Sequence, residues 1–159
     1  MSMAVPRFIT NKPGTAQKHF FAEFATLISD TAYQAIVSKK VHQIYWNFKT
    51  QKITVKRHEN IPDEANIHQR FKTVAKDVFY SQIAVPELFT VRNFIVQGDE
   101  LIKPGMIMDD AWFYIMPDGS SQATTLNIED ATQDITTRFS ITINPFYSQA
   151  TLHDAFQKQ

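Results

Sequence analysis

The sequence predicts an α+β protein in which one long N-terminal helix packs on one or two antiparallel β-sheets. Three observations predict it. An apolar stripe recurs at spacings of three and four over residues 15–38. About six later stretches alternate apolar and polar side chains or are rich in aromatic and β-branched residues. The turns between them are short and carry Pro, Gly, Asp or Asn, so the strands connect locally, as antiparallel sheets allow.

The helix is the element around which the rest is arranged. Phe20, Phe21, Phe24, Leu27, Ile28, Ala32 and Ala35 form its stripe, and Lys18, Glu23, Asp30 and Gln34 lie off it. Gly14 ends the preceding loop, and Thr15 is set to accept a bond from an orphan N–H. Lys39 and Lys40 follow the last turn, where cations suit the negative end of the helix dipole. About 24 residues of helix span ~36 Å, long for a small domain. Upstream, residues 4–14 (AVPRFITNKPG) hold two prolines and a glycine and form a linker. The opening MSMAVPRF reads as a remnant ahead of Ala4, with the helix continuing upstream in the natural chain.

Residues 41–48 (VHQIYWNF) and 53–57 (ITVKR) make a hairpin with a four-residue loop at 49–52. Pro62, Asp63 and Glu64 have the chemistry of a helix start, and Ile67, Phe71, Val74 and Val78 share one helical face, so a short second helix is predicted at 62–78. Pro86 precedes a strand at 88–96. Gly98, Asp99, Pro104 and Gly105 punctuate a loop. The run 111–116 (AWFYIM) suits a strand buried on both faces, with residues 123–128 as its partner across the Pro117-Asp118-Gly119-Ser120 turn. Residues 134–144 contain a half-buried strand stopped by Pro145, and 149–153 add a last short one. The whole of 1–159 reads as one domain: linker 1–14, helix 15–38 and β domain 41–156.

Composition bounds the function. Sixteen basic residues balance sixteen acidic ones, so there is no basic footprint for nucleic acid. With no cysteine, thiol catalysis, disulfides and thiolate metal sites are excluded. The histidines at 19, 42, 58, 68 and 153 lack the three- or four-residue spacing of metal ligands. The acidic pairs Asp99-Glu100 and Asp109-Asp110 lack the alternation of a calcium loop. No phosphate-binding loop or nucleophile elbow is present, and a hairpin turn accounts for Ser120. No catalytic, cofactor-binding or metal residue is therefore assigned. Thirteen Phe residues exceed what a core of this size obviously needs. Phe8 and either Phe20 or Phe21 are candidates for a partner-facing patch, the alternative being that all are core.

These segments, in order, resemble the pilin-like family, specifically H-type minor pseudopilins of type II secretion and type IV pilus-like systems. The Ala4-Val5-Pro6-Arg7-Phe8 run resembles the exit from that family's membrane helix, and Ala32-Tyr33-Gln34-Ala35-Ile36 its amphipathic continuation. The strand Gln43-Ile44-Tyr45-Trp46-Asn47, the segment FYIMPDGSS at 113–121 followed by Thr124-Thr125-Leu126, and the terminal 139–145 run are similar to the family's β domain. Asn144-Pro145-Phe146 stands where the family often has Thr-Gly. The resemblance implies a structural, non-enzymatic subunit on the periplasmic, extracytoplasmic side of the inner membrane. It implies an N-terminal membrane anchor outside this sequence and other pseudopilin subunits as partners. The implied interface residues are Pro6, Phe8, Phe20, Phe21 and Phe24. A second expectation is a small-molecule-binding α+β domain whose aromatics, Trp46 and Trp112 among them, line an internal cavity.

Overall fold

A computed structural model describes residues 14–59, 66–74 and 81–158. The long helix α1 spans Thr15–Ser38, as its periodicity requires. Its N-cap is Gly14 in the left-handed conformation (φ 87°), without a side-chain cap, and Lys39 closes it, also left-handed. Thr15 is thus the first helical residue rather than the cap. Phe20, Phe24, Leu27, Ile28, Thr31, Ala32 and Ala35 are buried.

Strands β1 (His42–Asn47) and β2 (Lys52–His58) form the predicted hairpin. The Asn47 carboxamide oxygen accepts from the Lys49 and Thr50 amides and shapes its loop. The segment predicted as helix 62–78 differs. Helix α2 covers only Ile67–Arg70, capped by a reciprocal Asn66–Gln69 box, and the chain then extends as β3, Phe71–Thr73. Pairing with β2 satisfies that backbone, and Phe71 and Val74 are buried while Ile67 is exposed. Val78 and the proposed start at Pro62 lie outside the described residues.

Next come β4 (Gln82–Ala84), β5 (Phe89–Val96), β6 (Asp99–Glu100), β7 (Asp110–Ile115), β8 (Thr124–Asp130), β9 (Thr137–Asn144) and β10 (Gln149–His153). They make two antiparallel sheets. In the first, β3-β2-β1-β7 run side by side and β4 also pairs with β2. The second runs β10-β9-β8-β5-β6. Two expectations about β7 are corrected here. Its burial alternates, with Ala111, Phe113 and Ile115 inside and Trp112 and Tyr114 half-exposed, so it is buried on one face. It also does not pair with β8. It joins β1, and one bridge, Ile115 to Ser121, remains before the chain crosses to the second sheet. The Pro-Asp-Gly-Ser turn therefore links two sheets.

Helix and both sheets share one core. The Phe20 ring centroid lies 6.0 Å from Trp46 of the first sheet and 5.6 Å from Phe89 of the second. Phe94 and Phe113 meet across the sheets at 6.4 Å. Gln17 ties the start of the helix down, donating to Asp130 (3.0 Å) and Thr137 (2.8 Å). The C-terminal tail folds over the outer face of the second sheet. There the Asn127 carboxamide accepts from the Gln157 amide and donates to its carbonyl, both at 3.0 Å.

Candidate assembly surface

The helix has a second, outward stripe. Ala22, Thr26, Ser29, Tyr33, Ile36 and Val37 follow one another at spacings of three and four and are exposed. Lys18 is exposed at its N-terminal end, where His19 pairs with Glu23 at 2.9 Å, and the half-exposed Asp30 flanks its middle. Its middle residues, Ala22, Thr26 and Ser29, are small, and the C-terminal end is apolar: Tyr33 is 65% exposed and Val37 59%. A helix face that meets only water normally carries charged side chains. Small residues instead let another backbone come close, and a terminal apolar cluster gives it area to bury.

Two turns extend this apolar end. A Cβ at Gly119 would lie 2.8 Å from Ile36 Cδ1, so the Pro117-Asp118-Gly119-Ser120 turn packs directly on the helix. Asp118 shapes the turn by accepting from the Ser120 amide (2.9 Å) and hydroxyl (2.6 Å). These bonds hold its carboxyl below the ordinary 3.8. Ser148 Oγ donates to the Gly119 carbonyl at 2.6 Å. That bond fixes the β9–β10 turn beside it, where Phe146 and Tyr147 stand 79% and 77% exposed. Helix end and two turns thus bring Ile36, Phe146 and Tyr147 to one end of the molecule.

The expected interface residues that the structure describes fall elsewhere. Phe20 and Phe24 are 2% and 0% exposed and belong to the core, so neither offers surface to a partner. Phe21 is half-buried against that core. Pro6 and Phe8 lie outside the described residues. The exposed apolar helix surface is at the C-terminal end, not near the start. Tyr33, Ile36 and Val37 were not legible as surface because they lie one or two positions from the core residues Ala32 and Ala35. The aromatic pair in the Pro145-Phe146-Tyr147 turn was the available signal, since a turn gives aromatics nothing to pack on.

Among the described residues, the two tryptophans expected to line one cavity lie apart. Trp46 faces inward, packed against Phe20, Phe48 and Phe94 at 5.8–6.3 Å. Trp112 lies on the opposite face of the same sheet, stacked on Tyr45 at 6.2 Å. The two indoles line no common space. The acidic pairs have structural roles: Asp109 meets Lys49 at 3.2 Å, Asp110 accepts from the Tyr45 hydroxyl at 2.5 Å, and Glu100 accepts from the Phe94 and Ile102 amides. Burial, then the bond to Asp110, pushes the Tyr45 phenol up to about 12 from 10.0.

No protein-family model matches the chain, and no curated protein sequence matches it at a significant level. Its fold does match solved structures. Two structures of the minor pseudopilin EpsH from the type 2 secretion system of Vibrio cholerae superpose with a TM-score of 0.53 each. The matches cover 91% of this chain and 96% and 94% of theirs, at 16% and 14% identity. The chain therefore has a pseudopilin-like fold, a long N-terminal helix on antiparallel sheets, as its segments resembled.

Proposed function

We propose that this chain is the extracytoplasmic domain of a minor pseudopilin, a structural subunit of a secretion pseudopilus or pilus-like tip rather than an enzyme. The observation that carries the reading is the pseudopilin-like fold combined with a long helix whose outer stripe has small residues in its middle and is apolar at its C-terminal end. In this reading residues 1–159 are one pilin-like domain. An N-terminal membrane helix precedes residue 4 in the natural chain, and the domain faces the periplasm. Its partners are other pseudopilin subunits, which lie along Ala22, Thr26 and Ser29 and cover Tyr33, Ile36, Val37, Phe146 and Tyr147.

No helix among the described residues is long and apolar enough to cross a membrane. The test is the reading frame ahead of Ala4 in the natural gene. The proposal expects an in-frame apolar stretch of ~20 residues, long enough to span a bilayer, preceded by a glycine and a basic leader. A natural start at Met1 or Met3, confirmed by mass spectrometry of the native protein, overturns it.

A further inference from the structure

Both sheets end on an open edge at the same place. β7 is the last strand of the first sheet and β6 the last of the second. Between them runs a groove of about 390 Å³, walled by Ala111, Trp112 and Tyr114 on one side and by Val96, Gln97, Asp99 and Leu101 on the other. Its floor and mouth are largely apolar, with Leu101, Met108 and Trp112 contributing.

The β7 edge has a defined hydrogen-bonding state. Tyr114 donates its main-chain N–H to Gln122 Oε1 (3.0 Å), and its carbonyl accepts from the Gln122 amide (3.1 Å). Tyr114 therefore turns its main-chain groups away from β1. Antiparallel ladders alternate, so Trp112 and Asp110 turn theirs the same way, into the groove. On the other parity, the Asp109 carbonyl accepts from Phe48 at 2.9 Å. Among the described residues no donor or acceptor meets the Trp112 main-chain N–H and C=O. Gln122 thus acts as a one-residue strand cap that covers Tyr114 and stops. The opposite wall is braced. Gln97 and Gly98, both at positive φ, make the tight two-residue β5–β6 turn, and the Glu100 carboxylate holds the chain at Phe94 and Ile102.

We propose that this groove takes an extended, basic segment of a partner protein as an added strand along β7. The main-chain groups of Trp112 supply the register. Alternate side chains of the added strand point inward over Ala111, Leu101 and Met108 and are apolar. The others lie on the outer face beside Asp110 and Asp99. Among the described lining residues these two acids carry the charge, and Asp99 is the one not already bonded to Tyr45, so the outward side chains are basic. Such a segment continues along β7 beyond the point where Gln122 stops. The inference concerns a surface away from the helix stripe and does not rest on the pseudopilin reading.

The test uses the isolated chain and a short peptide alternating lysine and valine, followed by amide NMR and hydrogen exchange. Binding is expected to shift the Trp112 and Asp110 amides and slow exchange at Trp112 by about tenfold or more. The same peptide N-methylated at alternate residues is expected not to bind. Asp99→Lys, at an exposed position, is expected to weaken the peptide by about tenfold while leaving the fold unchanged. Equal binding of the N-methylated peptide, or saturation without change at Trp112, overturns strand addition. Unchanged affinity in Asp99→Lys overturns the basic occupant. Protection of Trp112 that rises with protein concentration, without peptide, replaces the partner with a second copy of this chain and also overturns the proposal.

Discussion

His42 is 1% exposed yet titratable, and it makes the fold sensitive to mild acid. Burial lowers its pKa from the ordinary 6.5, only partly offset by its bond to the Lys40 carbonyl at 2.9 Å, and Arg57 lowers it further. Below 6.5 the unfolded chain therefore binds the proton more readily than the folded one, so stability falls as pH drops through that window. Urea midpoints are expected to decline from pH 7 to pH 5 in the natural sequence and to decline less in His42→Gln. An equal decline in both assigns the effect to other groups. Gly119 is a second sensitive position. Its φ of +86° and the 2.8 Å approach to Ile36 leave no comfortable place for a side chain. Gly119→Ala is expected to cost about 1–3 kcal/mol in thermal or urea unfolding. Phe24→Ala removes a fully buried ring and is expected to cost about 3–5 kcal/mol. The stripe held Phe24 while the resemblance put it at an interface, and its full burial assigns it to the core. The burial of Phe20 against that of Phe21 was not legible, because one helix position separates core from rim and only the sheets decide which side they cover.

The strands were legible where their own pattern sufficed. β1 with β2, β5, β9 and β10 sit within one to three residues of the boundaries their alternation marks. The elements missed were short and depend on partners far away in sequence. β3 and β4 each have three residues and exist because β2 offers an edge to both. The β7–β8 hairpin was misread because a Pro-Asp-Gly-Ser turn reverses the chain equally well within a sheet or between two. Only the distant strands β1, β5 and β9 settle which. β8 likewise shows why outward residues of a strand can be buried: Thr125 and Asn127 are covered, and the C-terminal tail lies over that face through Asn127. Asn127→Ala removes both bonds to Gln157 and a third to Asn93, and is expected to cost about 1–3 kcal/mol. It should also raise hydrogen exchange at Gln157 and loosen Phe156 from Arg138, which it now meets at 5.2 Å. Unchanged exchange at Gln157 would show that the tail is held by other contacts.

For the molecule as a whole, the order of helix and strands carried the fold, while the candidate assembly surface had to be read from three dimensions. Burial removed Phe20 and Phe24 from the candidates, and the packing of two turns on the helix end added Ile36, Phe146 and Tyr147. No local pattern relates residue 36 to residue 146. The resulting account makes the outer face of α1 a contact between subunits rather than a solvated surface. Residues 1–159 contain no cysteine, so a thiol introduced there is the one reactive site within this stretch. Single-cysteine variants Ser29→Cys and Val37→Cys on the outer face, with Thr151→Cys on the exposed part of β10 as the control, would be expressed in the natural full-length protein in its own cells. A bifunctional thiol–amine cross-linker is then applied and the adducts are identified by mass spectrometry. The account predicts adducts from positions 29 and 37 to other pilin-like subunits, and none of these from position 151. Adduct patterns that are the same at all three positions, or free of pilin-like subunits at 29 and 37, would contradict it.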